Sequence, residues 1–68
     1  MSAGQKLRRF RERQGMSIRN TADMLGTSHV VVWRWETGAC TPSVPSLIKI
    51  AAFMGCTIDE LLKREVTE

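Results

Sequence analysis

Residues Ser17–Glu36 read SIRNTADMLGTSHVVVWRWE. Apolar side chains recur at spacings of three and four on either side of Gly26, so the stretch divides into two short amphipathic helices with one break. Ala22 falls where the two helices would cross. This is the pattern of a helix-turn-helix, a motif whose second helix is offered outward to the major groove of DNA.

The second helix carries the chemistry. Starting at His29, successive residues advance by about 100° around a helix. Val31, Val32, Trp35 and Glu36 then share one side, which is mostly apolar and suits a core. His29, Val30, Trp33 and Arg34 share the other. A donor ring, a branched aliphatic, a large aromatic and a guanidinium make an odd surface for plain water. They suit a groove lined with acceptors, phosphates and thymine methyl groups. Arg34 can fork onto guanine O6 and N7, a contact worth roughly 1–3 kcal/mol of discrimination. Val30 can press on a thymine methyl, and His29 can donate to a base or a phosphate. Trp33 can lie along a sugar-phosphate edge, or pack on a neighbouring helix or a partner subunit. Each has a plainer reading: Arg34 as a solvated surface charge, Val30 as a scattered apolar residue.

Arg11 lies on the apolar stripe of the first helix, and Glu36 on the inward side of the third. A half-buried guanidinium needs a carboxylate, so the two are expected to pair and tie these helices together. That role is structural. The start of the second helix crosses the DNA backbone in a helix-turn-helix, and its free N–H groups suit phosphate. Ser17, Ile18 and Arg19 therefore form a candidate phosphate clamp. Thr37 and Gly38 close the third helix and face the opposite edge. Lys6, Arg8, Arg9 and Arg13 read mainly as a solvated face of the first helix.

Punctuation along the chain gives an all-α fold. Gly15, Gly26, Gly38 and Gly55 each follow a helix-like segment, where a left-handed residue is usual. Ser2, Ser17, Ser28, Ser43 and Thr57 each precede an amphipathic run and suit N-caps. Ser2 with Gln5, and Thr57 with Glu60, fit capping boxes. Five helices are predicted, at about 3–13, 18–25, 29–36, 45–54 and 58–64. Their inward stripes are Ala3, Leu7, Phe10 and Arg11; Ile18, Thr21, Ala22 and Leu25; Leu47, Ile50, Ala51 and Met54, with Phe53 on the flank; and Ile58, Leu61 and Leu62. Val30-Val31-Val32 is β-prone, but the helical spacing around it decides.

The chain has 68 residues, so residues 1–68 read as one domain, either complete or the N-terminal part of a longer regulator. A net charge of +3 has the sign expected for a polyanionic partner. There is no apolar run of bilayer length, and no apolar segment follows the basic N-terminus as in a signal peptide. The expected location is the cytoplasm, away from any membrane. Cys40 and Cys56 form no CxxC pair and His29 is the one histidine, so neither a zinc site nor any cofactor is expected. Both cysteines are expected to be reduced. With no nucleophile–base pair to place together, the reading is not an enzyme.

FRERQGMS, TADMLGTS, VWRWETG and TPSVPSLIKIAAFMGCTIDELL together resemble the XRE/Cro–repressor family of helix-turn-helix domains. The resemblance covers about residues 5 to 62. It implies a compact five-helix, lambda-repressor-like fold in which helices 2 and 3 read DNA. It implies that Arg11 and Glu36 form the family's interhelix salt bridge. It places base-reading sites on Ser28, His29, Val30 and Arg34, and phosphate sites on Ser17, Ile18, Arg19, Thr37 and the loop that follows. It also implies a homodimer on a near-palindromic operator in double-stranded DNA, repressing transcription. Three departures stand out. Thr21 takes a spot usually held by a larger apolar residue, so looser packing is expected there. Thr27 replaces an apolar residue. Residues 38–42 carry no Lys or Arg, which lowers the expected number of phosphate contacts. The apolar outer face of helix 3 leaves a second reading open: a helix-turn-helix used for protein contact, as in an antitoxin or anti-activator, docking through Val30, Trp33, Ile48 and Ala52. The surface expected to join two copies lies on helices 4 and 5, with Ile48, Ala52 and Val66.

Overall fold

Each predicted boundary has a local chemical cause in the structure. A computed structural model describes residues 2–63, and within them the chain forms α1 (Ala3–Arg13), α2 (Ile18–Leu25), α3 (His29–Thr37), α4 (Val44–Met54) and α5 (Ile58–Leu62). Among the described residues there is no strand. Helix 5 was expected to run to Arg64 but ends at Leu62, where Lys63 turns to extended backbone as its C-cap; Arg64 and Val66 lie outside the described residues. Helix 3 runs one residue further than predicted, and α4 starts one residue earlier, at Val44. The reason is that Ser43 caps α4 and Pro45 sits in the first turn, where no N–H is needed.

All five expected N-caps are in place. The hydroxyls of Ser2, Ser17, Ser28, Ser43 and Thr57 each accept a bond from the backbone N–H three residues on. Both capping boxes close. In the second, the Thr57 backbone N–H and hydroxyl donate to Glu60, which holds the Glu60 carboxyl below its ordinary range. At Gly26 the chain reverses between α2 and α3 with φ +69°, a conformation glycine adopts without the Cβ penalty.

The core is built from all five helices. Leu7, Ala22, Leu25, Val32, Trp35, Leu47, Ile50, Ala51 and Leu61 are buried together. Ala3, Ile18, Val31, Phe53, Met54, Cys56 and Ile58 pack on its margin. Phe10 meets Phe53 edge to face, with ring centroids 5.3 Å apart. Leu62 departs from the expected inward stripe: it is 54% exposed. Leu61 takes the core position, and the next residue of a short helix points about 100° away. Lys6 donates to the carbonyls of Glu60 and Lys63, satisfying the open end of α5.

Two features of the core depend on single atoms. Thr21 is fully buried, and its Oγ1 has no hydrogen-bond partner among the described residues. At Gly4 the backbone of α1 lies directly against that of α3. A Cβ there would stand 1.9 Å from the Trp35 carbonyl oxygen.

Gly4→Ala must therefore push α1 off α3, at a cost of about 1–3 kcal/mol. Thr21→Val removes an unpaired buried hydroxyl and should stabilise the fold by about 1 kcal/mol. Urea midpoints for the two variants should move in opposite directions. Equal or reversed shifts would contradict this account of the core.

Candidate nucleic-acid interface

The placement of α3 begins with Arg11. Its Nε donates to Glu36 Oε2 and its Nη2 to Glu36 Oε1, both at 2.9 Å. The fork is nearly dry, with side-chain exposures of 13% and 3%. Pairing with Glu36 raises the pKa of Arg11 above its ordinary value. The third guanidinium contact, from Nη1 to the Met16 carbonyl at 3.0 Å, has no signature in the sequence. It fixes the turn immediately before the Ser17 N-cap. One side chain thus sets both the pose of α3 and the start of α2.

With α3 seated by Val32, Trp35 and Glu36, the opposite face is left in solvent. His29 and Arg34 are exposed, Val30 is 43% exposed and Trp33 is 52% exposed. All four outward side chains expected on this helix lie on its solvent side. Ser28 sits at the N-cap, with its hydroxyl accepting from Val31 N–H at 3.3 Å.

The two ends of this face differ. At one end, the first turn of α2 and the first turns of α3 flank an open, shallow cleft lined by Ser17, Ile18, Arg19, His29, Val30 and Trp33. Ser17 Oγ accepts from Asn20 N–H at 3.0 Å. The N–H groups of Ile18 and Arg19 lie in the first helical turn, ahead of any intrahelical acceptor. Ile18 has two roles: its side chain packs on the core margin, while its backbone is available to an anion. At the other end, Thr37 donates to the Arg34 carbonyl at 3.4 Å and Gly38 caps α3 in the left-handed region. The Cys40 N–H also donates to the Arg34 carbonyl, at 3.2 Å. Gly38 opens onto a different cavity, beside Trp35, Pro42 and the N-terminus of α1. The structure therefore brings Ser17–Arg19 together with His29, Val30 and Trp33, and sets Thr37 and Gly38 apart from them.

This arrangement has relatives. A family model described as Helix-turn-helix (HTH_3) matches residues 7–61. The chain belongs to that family, of the XRE/Cro type. It is 34% identical over 65 residues to the HTH-type transcriptional activator BcrR of Enterococcus faecalis, covering 96% of this chain and 32% of the relative. It is 35% identical over 60 residues to the HTH-type transcriptional regulator AnsR of Bacillus subtilis (strain 168), covering 88% of this chain and 52% of the relative. The chain thus spans between about a third and a half of these relatives' lengths. Among solved structures it is similar to the P22 c2 repressor in complex with a synthetic operator. There the TM-score is 0.84 with 25% identity, covering 93% of this chain and 96% of that one. It also matches a transcriptional regulator from Listeria innocua at TM-score 0.81 and 25% identity, covering 97% of this chain and 64% of that one.

The Arg11–Glu36 fork gives a direct test of how α3 is held. Arg11→Met or Glu36→Gln alone leaves a nearly dry charge without its partner and should cost about 3–5 kcal/mol. The double variant should cost clearly less than the sum. Chemical denaturation of all four proteins measures the coupling, and strict additivity would rule out the fork as the tie between α1 and α3.

Proposed function

We propose that this chain is the DNA-reading part of a transcription regulator, inserting α3 into the major groove of a specific duplex site. One observation carries the reading: His29, Val30, Trp33 and Arg34 stand exposed on one side of a helix whose other side is locked into the core. In this reading Arg34 forks onto a guanine, and Ser28, His29, Val30 and Trp33 meet neighbouring base edges. Ser17, the backbone of Ile18, and Arg19 hold phosphate on one side of the groove. Thr37 and Gly38 do so on the other. From His29 to Thr37 the helix rises about 12 Å, close to the width of the major groove.

On the level of the whole regulator, we read a cytoplasmic repressor that binds a near-palindromic operator as a homodimer. Two copies would set their α3 helices about 34 Å apart. The outer stripe of α4 supports a contact between copies, because Val44 is 67% and Ile48 53% exposed and Ala52 lies on the same side. Repression then follows sterically, from an operator that overlaps a promoter. The apolar character of the α3 face favours one other reading, in which Val30 and Trp33 dock a protein.

Selection of bound sites from a random duplex pool tests the proposal, and an inverted repeat among them tests two-fold binding. Binding to the selected site should weaken with salt by a slope of about −0.9 per phosphate neutralised. Arg34→Ala should lose about 1–3 kcal/mol of discrimination for its site. Arg19→Ala should lower the salt slope by about 1 while keeping the site preference. Binding indifferent to salt and to Arg34 would replace this reading with the protein-docking one.

A further inference from the structure

The cleft between the first turn of α2 and the outer face of α3 has a volume of about 510 Å³ and is open to solvent along one side. Ile18, Val30 and Trp33 give it apolar walls, and Ser17, Arg19 and His29 complete the lining. Ile18 packs on the core margin, so its wall is held in place, whereas Val30 and Trp33 leave close to half their surface in water.

Size and shape narrow the occupant. A duplex does not fill this space, because the largest apolar group on a base edge is a single methyl. Sites of about 300–1,000 Å³ take ligands many atoms larger. A free small molecule is no better matched: a site built for one buries about 70–90% of it, and this cleft covers its occupant on one side. A bulky side chain carried on a protein surface meets both conditions. It fills the apolar walls, and the surface around it closes the open side against water.

Charge narrows the occupant further. Arg19 and His29 border the cleft, and Arg34 is exposed on the same helix. The first-turn N–H groups of Ile18 and Arg19 add donors. Among the described residues, no acidic side chain lines the cleft. A partner that sets carboxylates against these donors complements the surface as phosphates do.

We propose that the cleft seats one bulky apolar side chain of an acidic protein segment, and that this segment competes with duplex DNA for the same face of α2 and α3. The proposal rests on the DNA-reading function given above and adds its regulation, since the segment and the duplex exclude each other.

The test uses two short, fluorescein-labelled poly-glutamate peptides that differ at one central residue, Phe or Ala. A third peptide keeps the Phe and replaces every Glu with Lys. Fluorescence anisotropy measures binding to the whole chain without DNA. The Phe peptide should bind about ten- to a hundred-fold more tightly than the Ala peptide, and the Lys peptide should not bind. In Trp33→Ala and in Val30→Ala the Phe-to-Ala ratio should fall toward one. In Arg19→Ala both acidic peptides should weaken alike, with the ratio kept. Thermal unfolding confirms that each variant is folded. The Phe peptide should also displace the selected duplex at concentrations that follow its own affinity. Equal binding of the Phe and Ala peptides, or a duplex that stays bound while the Phe peptide saturates the protein, overturns this proposal alone. A random pool that yields no enriched duplex overturns the DNA-reading function and, with it, the competition.

Discussion

The Arg11 guanidinium meets three acceptors at once: both carboxylate oxygens of Glu36 and the carbonyl of Met16. Two of these hold α3 against α1, and the third holds the turn from which α2 starts. The outward face of α3 and the free N–H groups of α2 are therefore referenced to the same atoms. In the proposed function that shared reference matters, because small errors in helix pose would become large errors at the base edges of a rigid duplex.

Close packing enforces the same geometry from the other side. Gly4 lets α1 approach the backbone of α3 at Trp35, and Val32 and Trp35 fill the space beneath. A helix of nine residues has little stability of its own. Here its inner face is committed to the core, which leaves its outer face free to be chosen for recognition. Val30 and Trp33 show this freedom: they stay exposed while the neighbouring Val32 is fully buried. Ile18 joins the two requirements, since its side chain packs on the core margin and also lines the cleft beside Val30 and Trp33.

Much of this was legible from residue type and spacing. Caps and left-handed glycines are local effects, decided within about four residues, so the helix boundaries were read to within a residue or two wherever they fall in the described chain. The two faces of α3 followed from helical period alone. The Arg11–Glu36 pair was legible because a guanidinium on an apolar stripe demands a carboxylate, and Glu36 was the acidic residue on a facing stripe. Leu62 was misread, because in so short a helix the period does not say which of two adjacent leucines is taken by the core. The bond from Arg11 to Met16 was not legible at all, since a backbone carbonyl looks the same at every position. The role of Gly4 was hidden for a related reason: a glycine within a helix does not announce which neighbour lies 1.9 Å from its missing Cβ.

By itself, the order of residues determined the five helices, their caps, the stripe each one buries and the face α3 turns outward. These depend on dihedral preferences and on the 3.6-residue period, which act over short distances along the chain. Tertiary structure alone decided that Ile18 would meet Val30 and Trp33 across a cleft, and that Thr37 and Gly38 would lie away from Ser17–Arg19. It also decided that the Thr21 hydroxyl would be buried in the core with no hydrogen-bond partner among the described residues. Those outcomes depend on how helices from distant parts of the chain cross. Close packing between whole helices settles the crossing, and no local pattern of side chains encodes it.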